Sequence, residues 1–167
     1  MYRDNLATER EGMQIVIEYL RHHKRNPRQT TSKEEQQRGD LAIQSTQGNE
    51  AFIEVKVESQ FTGNLFVELF SNREYGTTGW LWNCRADWIV FYFLNQDILI
   101  GMSFPALKNW LLNQTDRRLD SYKEARAKHS GPNDTYGRLV PIEHLKAAQG
   151  LGYWEASPLN ELRQHVA

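Results

Sequence analysis

The sequence predicts an α/β fold in which a central mixed β-sheet is flanked by helices, the elements following one another in the order α-β-β-β-β-β-α. Three observations carry that expectation. Leu6, Met13, Val16, Ile17 and Leu20 recur at the three- and four-residue spacing of an amphipathic helix. Between residues 40 and 70 apolar and polar side chains alternate, the period of a strand with two unlike faces. "SFPALKNWLLNQ" (103–114) then returns to helical spacing behind a serine placed as N-cap.

Taken in order, residues 4–23 form the first helix, with Asn5 or Thr8 as its cap. The polar stretch 22–39 contains Pro27 and reads as a loop or arm. "DLAIQST" (40–46) and "AFIEVKVE" (51–58) are two strands about a "QGN" turn, and "LFVELF" (65–70) is a third. After the Gly-containing loop 71–80, "ADWIVFYFL" (86–94) and "DILIGM" (97–102) give two more, turning near Asn95 and Gln96. Beyond residue 114 the chain is polar, with one short helix opened by Pro141. A chain of 167 residues suits one domain: a core over 1–113 and a C-terminal extension, 114–167, packed on it.

Composition removes several classes of function. A net charge of −1 argues against a protein that coats polyanions, while leaving room for local basic surfaces. The single cysteine, Cys84, excludes an internal disulfide and a cysteine-rich zinc site, and suits packing in a reducing compartment. "MYRDNLATEREG" is charged where a secretory leader is apolar, and "WIVFYFL" (88–94) is too short to span a bilayer. A cytoplasmic protein without a membrane partner is expected. No phosphate-cradling glycine loop with lysine and no Ser/His/Asp arrangement is present. His22 and His23 are adjacent, so on a helix they diverge by about 100° and cannot chelate one ion together.

The strand 51–58 is the informative one. Alternation puts Phe52, Glu54, Lys56 and Glu58 on one face and Ala51, Ile53, Val55 and Val57 on the other. If "QGN" forms a three-residue loop, Thr46 pairs with Glu50, Leu41 faces Val55 and Ile43 faces Ile53; Asp40 then lies across from Lys56, with Glu54 on the diagonal. A two-residue loop would send Asp40 to the apolar side and pair Leu41 with Lys56, so the odd register is preferred. In the next strand Glu68 has the parity to join the polar face. The first helix holds a second anomaly, Glu9, at the missing position of its apolar stripe, where a carboxylate needs a partner or a cation; it also fits a first-turn residue favoured by the helix dipole.

A hard cation such as Mg²⁺ takes oxygen ligands and keeps several waters, so Asp40, Glu54 and a backbone carbonyl, that of Val55, suffice to hold it against a phosphate. The Lys56 ammonium would then position a nucleophile or offset charge that develops in phosphodiester hydrolysis. A solvated Glu/Lys pair is the plain alternative.

"GD" at 39–40, "IEVKVE" at 53–58 and "ATERE" at 7–11 resemble the PD-(D/E)xK nuclease superfamily, in particular its Holliday-junction resolvase-like members. The stretch 62–93, with an acidic third strand, a Gly-containing loop and Arg85-Ala86-Asp87 leading into the next strand, is similar to phage-type predicted endonucleases of that superfamily. The resemblance covers residues 5–113. It implies a restriction-endonuclease-like core, Mg²⁺ (with Mn²⁺ able to substitute) as cofactor and DNA as substrate. It also implies Glu9, Asp40, Glu54 and Lys56 as the site, Glu68 being a weaker candidate. The family proline before the aspartate is replaced by Gly39, which leaves the ligand intact. The alternative is a non-catalytic nucleic-acid-binding or assembly protein on the same fold.

Two expectations concern partners. Arg21, Lys24, Arg25, Arg28, Lys33 and Arg38 flank the site in sequence and either contact phosphates or line a solvated loop. Cutting both strands of a duplex needs two sites, so a homodimer is expected, with Trp110, Tyr136 and Trp154 as candidates for its surface. Of Trp80 and Trp82, one belongs to the core.

Overall fold

Helix α1 (Tyr2–His22) buries Ile15, Val16, Ile17, Tyr19 and Leu20 against the apolar face of a sheet, as the spacing predicts. It ends where Lys24 adopts φ +59° and the Arg25 N–H bonds the Leu20 carbonyl at 2.9 Å, a left-handed helix cap without glycine. Asn5 and Thr8 lie inside the helix, so neither caps it. The computed structural model describes residues 2–113, 118–127 and 133–164; the parts of the expected polar tail at 114–117 and 128–132 lie outside the described residues.

The chain is a mixed α/β protein and threads alternately through two units. In the first unit follow β1 (Arg28–Gln29), α2 (Lys33–Gln36), β2 (Leu41–Gln44) and β3 (Glu50–Glu58). The second takes β4 (Asn64–Asn72), β5 (Thr77–Thr78) and α3 (Trp80–Asn83). The chain returns for β6 (Trp88–Phe93) and β7 (Ile98–Ser103), then leaves along α4 (Phe104–Leu111) for α5 (Arg118–Ser121), β8 (Lys123–Arg126), β9 (Tyr136–Pro141) and α6 (Ile142–Ala147). It ends in the first unit with β10 (Trp154–Ala156) and α7 (Pro158–Gln164).

The first unit holds a six-stranded mixed sheet in the order β1-β2-β3-β6-β7-β10, in which only β3 and β6 run parallel. β6 is buried from Ile89 to Phe93, the continuous apolar run of a central strand. Its start is fixed by Asp87, whose carboxylate accepts the Phe52 N–H at 2.8 Å while its own N–H bonds the Phe52 carbonyl at 2.9 Å. At the far end Asp97, at φ +53°, accepts the Tyr92 hydroxyl at 2.9 Å and the N–H groups of Leu159 and Asn160, both at 3.0 Å. One carboxylate from the β6–β7 turn thus caps α7, which packs on α1.

The second unit holds an antiparallel sheet in the order β5-β4-β9-β8. This corrects the expectation that the strand after β3 carries Glu68 alongside it: β4 belongs to another sheet, and β3's free edge is taken by β6. The sequence difference is physical, since β4 buries only alternate residues whereas β6 is apolar on both faces, as the middle of a sheet requires. Trp80 is the buried tryptophan of its pair and Trp82 is 42% exposed, on a short helix rather than a strand. Trp110, Tyr136 and Trp154 are engaged within their own units. Arg118 lies 4.3 Å over Trp110, Arg73 lies 4.2 Å over Tyr136, and Trp154 stacks on Tyr19. Cys84 is buried, and no helix of the described residues is long and apolar enough to cross a membrane.

Gly12 sets how closely α1 approaches β3, because a Cβ there would overlap the side chain of Val57. Gly12→Ala should therefore lower stability by roughly 1–3 kcal/mol through overpacking, even though alanine favours the helix by about 1 kcal/mol. Urea unfolding reads the difference, and a more stable variant would show that the helix slides without cost.

Candidate functional site

Asp40 is placed by the residue before it. Gly39 has φ +148°, and a Cβ there would lie 2.7 Å from the Ile53 carbonyl oxygen. That backbone excludes proline at position 39, whose φ would be locked near −65°. The Asp40 N–H bonds the Ile53 carbonyl at 2.9 Å, and one carboxylate oxygen accepts the Val55 N–H at 2.8 Å. The carboxylate is thereby pinned beside the middle of β3.

The hairpin between β2 and β3 keeps the predicted parity but shifts the pairing by two residues. Leu41 faces Ile53 and Ile43 faces Ala51, and Asp40, just before β2, bonds the Ile53 carbonyl and the Val55 N–H instead of lying across from Lys56. The cause is Gly48, at φ +81°. A three-residue hairpin loop ends on a left-handed residue, so the loop is Thr46-Gln47-Gly48, closed by Gly48 N–H to the Ser45 carbonyl at 3.0 Å and Ser45 N–H to the Asn49 carbonyl at 2.7 Å.

On β3, Lys56 Nζ lies 2.6 Å from Glu54 Oε1, and both side chains are largely shielded, at 29% and 15% exposure. Two carboxylates and an ammonium therefore act on one another by charge at the middle of β3. The Asp40 carboxyl is held above its ordinary range, first by burial and then by the charge of Glu54, against the Val55 N–H and Lys56, with Glu9 adding to the rise. Glu9 is exposed rather than buried on the helix stripe, as is Leu6, since the first turns of α1 extend beyond the Gly12–Val57 contact. Its charge nonetheless reaches Asp40 and Glu58.

Glu58 follows on the same face at the exposed end of β3. Its carboxyl is lifted by desolvation, with Lys56 opposing and Glu9 adding. Glu68, by contrast, accepts the Trp80 N–H at 3.2 Å within the second unit and steadies the start of α3.

The basic arm is partly committed to structure. Arg28 donates to Glu35 at 2.8 Å and to Glu50 at 2.7 Å, and these contacts raise its pKa further, so it braces β1, α2 and β3. β1 and α2 replace the expected loop, α2 being capped by Ser32, whose hydroxyl accepts the Glu35 N–H at 3.2 Å. Arg21, Lys24, Arg25 and Lys33 are exposed. Arg38 lies 3.9 Å over the ring of Phe52, on the same strand face as Glu54.

Among the described residues no group of three or more His, Cys, Asp or Glu side chains is arranged to hold a metal ion. The donors that remain are Asp40, Glu54 and the Val55 carbonyl, which shares the side of its N–H and so faces Asp40. That set fits Mg²⁺, which binds through one or two carboxylates and keeps waters, and the mutual repulsion of Asp40, Glu54 and Glu9 is what a divalent cation relieves. Comparison with known proteins finds no matching family model, no matching curated protein and no matching solved structure.

Proposed function

We propose that the chain is a Mg²⁺-dependent endonuclease that hydrolyses DNA phosphodiester bonds on a restriction-endonuclease-like core of PD-(D/E)xK type, Mn²⁺ substituting for Mg²⁺. A single juxtaposition supports this reading. Asp40 is pinned at the Val55 N–H, the charges of Glu54 and Glu9 both reach it, and Lys56 is bonded to Glu54. A bound divalent ion supplies a water of lowered pKa and offsets charge on the phosphoryl oxygens. The protein's own groups do the positioning. Asp40, held by the Val55 N–H, and Glu54 fix the ion to the sheet, while Lys56 presents an ammonium to the phosphate oxygens where negative charge grows.

Purified protein should convert supercoiled plasmid to nicked or linear DNA with Mg²⁺ or Mn²⁺ and leave it intact in EDTA. Supercoiled, linear, branched and single-stranded DNA all surviving both metals would leave a nucleic-acid-binding or assembly protein in its place. Sedimentation at micromolar concentration tests the expected homodimer.

Phosphate contacts with DNA fall to exposed arm residues such as Lys24 and Lys33 rather than to Arg28. Reversing Lys24 and Lys33 to glutamate should weaken DNA binding and reduce the slope of log K against log salt by about 2, one released counterion per lost contact. An unchanged slope removes both side chains from the interface.

A further inference from the structure

The apolar face of the six-stranded sheet is covered by α1 only as far as His22. Past that end lies a cavity of about 460 Å³ whose floor is Ile43, Ala51, Ile53 and Val90. Its lining also includes Tyr19, Trp88 and Trp154. Trp88 is 36% exposed, unusual for the start of a central strand, and packs beside Gly152. Trp154 is seated over Gly101, where a Cβ would overlap its indole, and stacks on Tyr19 at 6.3 Å with 14° between planes. Fixed rings on a flat apolar floor are suited to a planar aromatic guest.

The lining carries two basic residues, and they differ in what they are free to do. His23 is taken up by Glu161 at 3.0 Å, whereas Arg25 is exposed and has no ion-pair partner among the described residues. Ser45 and Thr46, from the β2–β3 hairpin, add hydroxyls to the lining. Because Ile53 and Val55 face away from Glu54 and Lys56, the cavity is on the opposite side of β3 from the carboxylate site.

We propose that this cavity is a second binding site, for a planar aromatic ring bearing an anionic group, the chemistry of a nucleoside monophosphate or of the terminal nucleotide of a strand. The ring stacks against Trp88 and the anion is met by Arg25. The inference does not rest on the nuclease reading, since none of the carboxylates or Lys56 takes part.

Isothermal titration of the full chain in EDTA, where metal-dependent turnover is silent, tests it with deoxyadenosine monophosphate, deoxyadenosine, inorganic phosphate and a short 5′-phosphorylated oligonucleotide. The monophosphate should bind at least about tenfold more tightly than the nucleoside or phosphate alone, the worth of a charge-assisted contact. Arg25→Glu should remove that advantage while leaving nucleoside binding unchanged, and Trp88→Ala should remove both. Oligonucleotide binding lost in Trp88→Ala assigns the site to a strand end, and binding confined to the monophosphate assigns it to a free nucleotide. No saturable binding of the monophosphate at millimolar concentration overturns the proposal, as does binding unaffected by Arg25→Glu. That variant changes an exposed side chain and decides the matter even if Trp88→Ala does not fold.

Discussion

Lys56→Ala is expected to fold, to bind metal and to cleave DNA about 10²–10³-fold more slowly than the parent, the loss seen when one preorganised charge stabiliser is removed. Both carboxylates remain, and alanine only shortens a side chain on the polar face of β3. The variant also loses the ammonium that sits 2.6 Å from Glu54, leaving the repulsion between Glu54 and Asp40 less compensated. Metal affinity should therefore hold or rise while turnover falls, so kcat drops more than metal binding does. If Glu54 and Lys56 formed only a surface ion pair, their loss would cost at most about 1 kcal/mol of stability and nothing in catalysis. A well-folded Lys56→Ala protein with parental cleavage rates would end the assignment.

Asp40→Asn should fail differently, losing about three orders of magnitude in cleavage, several kcal/mol of barrier, because metal is no longer held. High Mn²⁺ should restore part of the rate. The same variant should be more stable than the parent at neutral pH. Burial and the charge of Glu54 raise the Asp40 carboxyl above its unfolded value, so its contribution to stability is full below the unfolded pKa and is lost as pH rises through the folded one. Asparagine keeps an acceptor for the Val55 N–H and carries no charge. Thermal melts should show the advantage at neutral pH and its disappearance in acid. A variant that loses both activity and stability at neutral pH would show that Asp40 serves the fold rather than a site held against it.

How much of this was legible in the sequence depends on which physical rule was asked to decide. Side-chain alternation is strict, so the strand face shared by Glu54, Lys56 and Glu58 could be read directly, whereas Asp40 sits just before β2, where the backbone's own hydrogen bonds and not strand parity place it. Pairing partners depend on where a loop closes, and there the preference of Gly48 for the last loop position was the missed signal. Sheet order is non-local. Nothing within "LFVELF" says that it leaves for another sheet, although the doubly apolar "WIVFYF" marked the strand that replaces it. Arg28 read as a free cation because its partners, Glu35 and Glu50, are brought to it only by the fold. For Glu9 the sequence left open a core-facing stripe position and an outlying first-turn one, because periodicity records a helix face but not where the sheet beneath it stops; the residue is exposed.

The alternating path of the chain has a consequence for how the protein reaches its folded state. β10 and α7, which follow all the other described elements in sequence, supply the edge beside β7 and the helix capped by Asp97, and both belong to the unit begun by α1. Closing that sheet joins residues more than fifty positions apart in sequence, since Trp154 pairs with Gly101. Such high contact order slows folding. Until residues 154–156 emerge from the ribosome, β7 has its Leu99–Gly101 backbone on an open edge, an apolar template for pairing with another chain. A chain stopped at residue 113 would keep Asp40, Glu54 and Lys56 in its sequence and yet be expected to aggregate, with the strand that carries Glu54 and Lys56 intact and the edge of its sheet unprotected.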